Sequence, residues 1–182
     1  ALADAVVETP EVALVLGTSL GSAEEDLARL GRDLADGLGV TGPVIDVSTA
    51  CSSSTHAVGL ARDLVCGGHA EVALAGGCDE LTELLFAGFC ALGVVSETRC
   101  APFSETIGTS LGEGAGFVVV ETAQRIEARG ADVHAWLRGY GLSADAHHAT
   151  SPHPAGAGVR RAIEAALADA RIDASTVGYV NA

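Results

Sequence analysis

The stretch Val44–Ser54, VIDVSTACSSS, decides the reading of this chain, because it carries a strand into a helix and leaves a cysteine at the junction. Behind the Gly42-Pro43 breaker, the β-branched run Val44, Ile45 and Val47 reads as a buried strand. From Ala57 the period changes: Ala57, Leu60, Ala61, Leu64 and Val65 fall on one face of an amphipathic helix, and Gly67-Gly68 stops it. Cys51 is therefore placed at or just before the first helical turn. Unpaired N–H groups and the positive end of the helix dipole favour an anion at such a place. The thiolate is the form of cysteine that attacks carbonyls, and the same N–H groups suit the oxyanion formed when a thioester is attacked. Position alone leaves a plainer alternative open, since cysteine is also a common small filler of cores.

Outward from this junction, strand and helix signals alternate. Val12–Leu16, closed by Gly17, reads as a buried strand; Ser22 with Glu25 makes a capping-box pattern, after which Leu27, Leu30 and Leu34 line a helix face. Val72–Gly76 is a further apolar strand, and Leu81–Leu92, apolar nearly all round, reads as a buried helix. Arg99–Leu111 is irregular and polar. Gly112–Gly116 reads as a tight loop entering a strand at Phe117–Val120. Thr122–Arg129 reads as a short helix, Val133–Ser143 as a long strand, Val159–Ala170 as an amphipathic helix and Val177–Val180 as a closing strand. This alternation predicts an α/β fold with a mainly parallel, helix-covered sheet.

The 182 residues are 48% hydrophobic, enough for a sizeable core and most simply one domain. Only 4% are aromatic and 23 are glycine, a composition suited to tight packing of small residues rather than to disorder. The formal net charge of -14 argues against nucleic acid and anionic membranes as partners. Five cysteines, Cys51, Cys66, Cys78, Cys90 and Cys100, are an odd number without CxxC or Cys/His spacing, so neither a disulfide framework nor a structural zinc site is expected. No run approaches the ~20 apolar residues of a membrane helix, and no signal peptide is evident, so the default location is cytoplasmic. The chain has no methionine, even at its start, and reads as a piece of something longer.

A catalytic thiol needs a base or a positive partner. His56 is nearest in sequence, but five residues carry it roughly 140° round a helix from Cys51, so the two do not meet there and His56 belongs on the polar flank. His147, His148 and His153 with Asp145 crowd one loop, whose spacing fits no standard metal site and which Pro152 and Pro154 stiffen. The glycines of GEGAG lack both the GxGxxG spacing and the lysine of a phosphate loop. Glu113 within them needs a partner if it is buried.

STACSSS, EVALAGGCDE, PFS…LGEGAGFVVVE, GYGLSADAHHATSPHP and VGYVNA follow one another in the order found in the β-ketoacyl synthases, which the chain resembles from about Val12 to its end. The resemblance implies a thiolase-like fold, a mixed sheet covered by helices, with residues 1–182 as a partial N-terminal domain that continues at its end into the start of the C-terminal half. It implies a decarboxylative condensation of an acyl thioester with malonyl carrier protein to a 3-oxoacyl product, in fatty-acid or polyketide assembly. Cys51 is then the acyl-accepting nucleophile. Phe89 matches an acyl-pocket position, the alternative being a core aromatic; His148 and Thr150 match a loop beside the substrate channel; Glu113 matches a residue that pairs with a lysine of the second half. Gly93 stands where family members often carry an arginine, and SETIGTSL at Ser104–Leu111 departs from their Arg-Asp-Gly-Phe sequence.

The implied partners are an acyl carrier protein, which brings its own phosphopantetheine, and a second ketosynthase subunit, identical or not, paired through the strand at Val44–Val47. No metal or redox cofactor is implied. The family's two catalytic histidines lie beyond a VNA-like stretch, and here the sequence ends at Asn181-Ala182, so residues 1–182 alone are expected not to condense. Two other classes remain open: a non-catalytic pairing subunit, and a thiolase-type or hydrolytic cysteine enzyme.

Overall fold

The computed structural model describes residues 11–19, 27–105 and 108–181, which fall into two compact units, residues 1–131 and 132–182. The capping-box pattern of Ser22 and Glu25 lies outside the described residues. Where length and composition suggest one domain, each unit is described by itself below. Among the described residues no helix is long and apolar enough to cross a membrane.

The first unit is built on a four-stranded sheet in the order β2-β1-β3-β4, with β1 at Val12–Gly17, β2 at Val44–Val47, β3 at Val72–Asp79 and β4 at Gly114–Glu121. β1 runs parallel to both β2 and β3, whereas β4 is antiparallel to β3, so the sheet is mixed rather than wholly parallel. Helix α1, Leu27–Leu38, follows β1 and leads to one neighbour; helix α2, Ser53–Cys66, follows β2 and crosses β1 to reach β3. Crossovers between parallel strands are right-handed, so reversing direction along the sheet sends the two helices to opposite faces.

The core shows this division residue by residue. Ala13 and Val15 of β1 and Ala73 and Ala75 of β3 pack with Ala57, Ala61 and Val65 of α2. Val12, Leu14, Val72 and Leu74 point the other way, to Leu34 and Ala35 of α1. Apolar residues on both faces are what a strand between two helical layers requires, and they explain why these runs do not alternate with polar residues. The alanines on the α2 side let that helix sit low on the sheet.

Three sequence expectations are corrected here. Helix α3, Glu83–Ala91, forms where the apolar run predicts it, capped by Thr82 accepting from Leu85 N, but none of its residues is buried, and Leu84 is 72% exposed. Its apolar character is therefore not core packing within the described residues. Val133–Ser143 forms no strand. A strand needs a ladder, and this segment pairs with no strand among the described residues; Tyr140 N donates instead to Asp169 of the following helix at 3.1 Å. Val177–Val180 likewise pairs with nothing among the described residues and is exposed. The short helix α4 is present at Ala123–Arg129 with Thr122 as its cap.

In the second unit the amphipathic helix α5 spans Ala157–Ala170. Gly139 and Gly141 lie directly against it: a Cβ on Gly139 would stand 2.5 Å from Ala170 N, and one on Gly141 would meet Ala162 O. Val159 and Ile163 of the expected apolar face are more than half exposed.

Candidate active site

Cys51 lies two residues before α2, at the end of a short connection from β2, and its side chain is exposed. The backbone reaches it through Ala50, which holds a left-handed φ of 53°. A non-glycine residue in that region costs about 1 kcal/mol or more and persists only where its surroundings over-determine it. Ser53, 3% exposed, does much of that: its Oγ accepts from Thr49 N at 2.8 Å and donates to Ala50 O at 2.6 Å. Replacing Ser53 with alanine removes the side-chain partner of Thr49 N and one of the two bonds to Ala50 O, which keeps the bond from Ser53 N, and the expected cost is about 1 kcal/mol, read as a lower midpoint in urea unfolding. An unchanged midpoint would contradict this account of the turn.

Ser52 is the N-cap residue of α2, yet its hydroxyl turns back to Thr49, donating to the carbonyl at 2.8 Å, and makes no side-chain cap on the first turn. The donors at this helix end are thus left uncapped by side chains on the side of Cys51. The helix start also sits unusually close to the sheet. A Cβ on Gly17 would stand 2.5 Å from Ser53 O and 2.6 Å from Ser54 N, and one on Gly77 would meet Ser54 Oγ and lie 2.5 Å from Gly17 O. Two strand-ending glycines form the seat of the turn that carries Cys51.

The other thiols have different surroundings. Cys66 is the last residue of α2, at the carbonyl end of the same helix, and Cys90 lies near the end of α3. Burial, followed by the nearby carboxylates of Asp79 and Asp46, pushes the Cys78 thiol up. Cys100 Sγ lies 3.6 Å from the Gly108 carbonyl, to which it donates.

Glu113, exposed, accepts from Leu81 N at 3.3 Å and lines an open cavity of about 340 Å³ with Cys78, Asp79 and Ser54 of α2's first turn. It is therefore not the buried carboxylate that would demand a partner, and the sequence contains no lysine to pair with it. Phe89 lies on α3, half-buried. His56 is also half-buried rather than on an open polar flank, and its Nδ1 is shielded from solvent without a hydrogen-bond partner among the described residues.

In the second unit His148 and Thr150 do come together. His148 Nδ1 accepts from Thr150 N and Ser151 N, each at 3.1 Å, which fixes that nitrogen as the acceptor. Asp145 accepts from His153 N at 2.8 Å, and chiefly this bond holds its carboxyl below the usual carboxylate range. Its other oxygen rests against Gly158 in the first turn of α5, where a Cβ would meet it. His147 and His153 are in ring contact, with centroids 4.9 Å apart. Among the described residues no group of three or more His, Cys, Asp and Glu side chains is arranged to hold a metal ion.

Sequence reasoning missed a set of polar residues at the strand ends. Thr18, Ser19, Ser48 and Asp79 are hydrogen-bonded to one another there. The available signal was that three apolar strands each end in polar residues, GTS, DVSTA and CDE. The carboxyl ends of parallel strands, where successive helices part to opposite faces, are the usual location of sites in open α/β sheets.

Comparison with known proteins places this geometry. The model of the β-ketoacyl synthase N-terminal domain matches residues 8–125, and that of the β-ketoacyl synthase C-terminal domain matches residues 134–182. The 3-oxoacyl-[acyl-carrier-protein] synthase 2 of Staphylococcus aureus is 41% identical over 152 residues, covering 80% of this chain and 38% of that protein. The chain thus spans about two fifths of the length of the curated relatives it matches. Among solved structures, the ishigamide ketosynthase/chain length factor superposes with a TM-score of 0.87 at 29% identity, over 92% of this chain and 48% of that one. A type II polyketide ketosynthase, in complex with its acyl-carrier protein and bound to the hexaketide, superposes with a TM-score of 0.79 at 32% identity, over 85% and 40%.

Proposed function

Because this chain belongs to the β-ketoacyl synthase family, we propose that it is part of a 3-oxoacyl-[acyl-carrier-protein] synthase in which Cys51 is the acyl-accepting nucleophile. Its fold is that of the thiolase-like ketosynthases. Residues 1–131 supply the nucleophile in this reading, and residues 132–182 belong to the start of the C-terminal half. The observation that carries it is the placement of Cys51: exposed, behind a left-handed Ala50, at an uncapped helix start.

Attack of the Cys51 thiolate on a carrier-protein thioester forms a carbon–sulfur bond and places negative charge on the carbonyl oxygen, which backbone N–H groups at the helix start are suited to hold. Collapse expels the carrier's phosphopantetheine thiolate, which takes up a proton, and leaves acyl-Cys51. Loss of carbon dioxide from a malonyl thioester then generates the carbanion. Its attack on acyl-Cys51 gives the 3-oxoacyl thioester and returns the thiolate. The reaction so written balances without a metal or a redox group. Phe89, His148, Thr150 and Glu113 are assigned to the acyl channel and its supports on family resemblance.

The test takes residues 1–182 with an acyl carrier-protein thioester and then with malonyl carrier protein. The expected result is acyl transfer to Cys51 and no 3-oxoacyl product, since general acid–base groups contribute about 10²–10⁴-fold each and those of the family lie outside this sequence. Robust condensation by the purified chain, or no acylation at all, contradicts the assignment. Condensation by an extended chain using an acetyl in place of a malonyl donor favours a thiolase-type enzyme.

A pairing role is the second reading, favoured by the ketosynthase/chain length factor neighbour and by β2, which lies at the edge of the sheet with one side unpaired among the described residues. An unpaired apolar edge invites association. Ile45→Lys in the complete protein is expected to give monomer or insoluble material by size exclusion with light scattering. An unchanged soluble dimer would exclude pairing through this strand. Acyl labelling of Cys51 separates a catalytic subunit from a purely structural one.

A further inference from the structure

We propose that Asp79, at the end of β3, is a positioning residue for Cys51, acting through hydrogen bonds that tie together the ends of three strands. The inference rests on the reading of Cys51 as the nucleophile. Three donors from the end of β1 converge on the Asp79 carboxylate. Thr18 Oγ1 and Ser19 N donate to Oδ1 at 2.9 and 2.8 Å, and Ser19 Oγ donates to Oδ2 at 2.9 Å. The end of β1 is bound in turn to the end of β2: Thr18 N donates to Val47 O at 3.1 Å, and Ser48 Oγ donates to Ser19 O at 3.0 Å. Ser48 adjoins Thr49, whose N–H is held by Ser53 Oγ across the Cys51 turn. A continuous path therefore runs from the carboxylate of β3, through β1, to the residues on either side of Cys51.

The chemistry of the path calls for a carboxylate. Thr18 is 1% exposed, and Ser19 N, which can only donate, fixes Oδ1 as an acceptor, while both hydroxyls are turned to donate to the carboxylate. An amide at this place would force the Ser19 hydroxyl to reverse and accept from its NH₂, and it would forfeit the charge, hydrogen bonds to a charged acceptor being roughly twice as strong as neutral ones. The seat of α2 depends on the same strand ends, because Gly17 adjoins Thr18 and Gly77 lies two residues before Asp79, and both touch the first turn of the helix. Asp79 thus locks β1 to β3 where the helix start rests on both. Cys51 is already exposed, so the expected effect of slackening this lock is on the alignment of the thiol with the helix start rather than on its access.

The test compares second-order alkylation rates of Cys51, Cys66 and Cys90 by iodoacetamide at neutral pH, mapped by peptide, with far-UV circular dichroism as the control for folding. In Asp79→Asn the Cys51 rate is expected to fall at least about tenfold while Cys66 and Cys90, outside the path, keep theirs. Asp79→Glu, retaining both acceptor oxygens, recovers part of the loss. Ser48→Ala slows Cys51 in the same direction, and the double variant D79N/S48A is slowed less than the product of the two single effects, because the two residues act in one path.

A Cys51 rate within about twofold of the unaltered chain in a folded D79N overturns the proposal, as does a parallel change in all three thiols, which reports general loosening. A D79E no faster than D79N also overturns it. Should D79N fail to fold, S48A decides alone, an unchanged Cys51 rate overturning the path. If Cys51 is not the preferred thiol in the unaltered chain, the nucleophile reading itself fails; if it is preferred but indifferent to these substitutions, only the Asp79 path fails.

Discussion

Cys51→Ser is expected to abolish acyl transfer from a thioester to this chain, by at least about 10³-fold, because the hydroxyl that replaces the thiol is un-ionised at neutral pH and a much weaker nucleophile. Exposure by itself would not predict so selective a loss, since Cys66 and Cys90 are also exposed. Local backbone makes the difference. Cys51 precedes the N–H end of α2 and Cys66 stands at its carbonyl end, so one helix dipole acts on the two thiols in opposite senses. Cys78 is disfavoured by burial and by neighbouring carboxylates. Intact mass after incubation with the acyl thioester reads the outcome. Acylation of the serine variant at the rate of the unaltered chain would move the chemistry to another residue.

Gly17→Ala carries the second large effect. The added Cβ would lie 2.5 Å from Ser53 O and 2.6 Å from Ser54 N, both backbone atoms of the helix start, so no side chain can turn aside to receive it. Either α2 lifts from the sheet, opening the packing of Ala57 and Ala61 on Ala13 and Ala73, or β1 shifts against both its neighbours. The expected cost is about 3 kcal/mol, at the upper end for overpacking, and with it goes the preference for labelling at Cys51. Gly88→Ala, inside α3 with nothing near the new methyl, is the matched control and should gain up to about 1 kcal/mol from helix propensity. Equal unfolding midpoints for the two variants would mean that the seat of the helix is not tight.

The elements that position Cys51 were legible in the sequence because their signals are local. Apolar runs ending in glycine mark β1 and β3, the β-branched run behind Gly42-Pro43 marks β2, and the change of period that follows it marks α2. What was not legible depends on partners. The apolar residues of α3 suggested a core, but burial is a property of what covers a helix, and nothing within the described residues does so. Val133–Ser143 has strand composition, yet pairing is decided by a neighbouring edge, and Gly139 and Gly141 bring it against α5 instead. The antiparallel entry of β4 beside β3 leaves no trace in its own residues. At the site, Cys51 announced itself through its place between two periods. Asp79 did not, since its role comes from donors sixty and sixty-one residues away in the chain. The left-handed backbone at Ala50 was hidden for a similar reason: alanine carries no turn signal, and the bonds of Ser53 impose the conformation.

Competition among the five cysteines for a limiting thiol reagent tests the central claim most directly. The folded chain is treated at neutral pH with less than one equivalent of iodoacetamide, digested and mapped. The account predicts that Cys51 carries most of the label, with Cys66 and Cys90 well behind despite their exposure, and that prior incubation with an acyl thioester protects Cys51 alone. Preferential labelling of any other cysteine, or labelling of Cys51 that an acyl thioester leaves untouched, would contradict it.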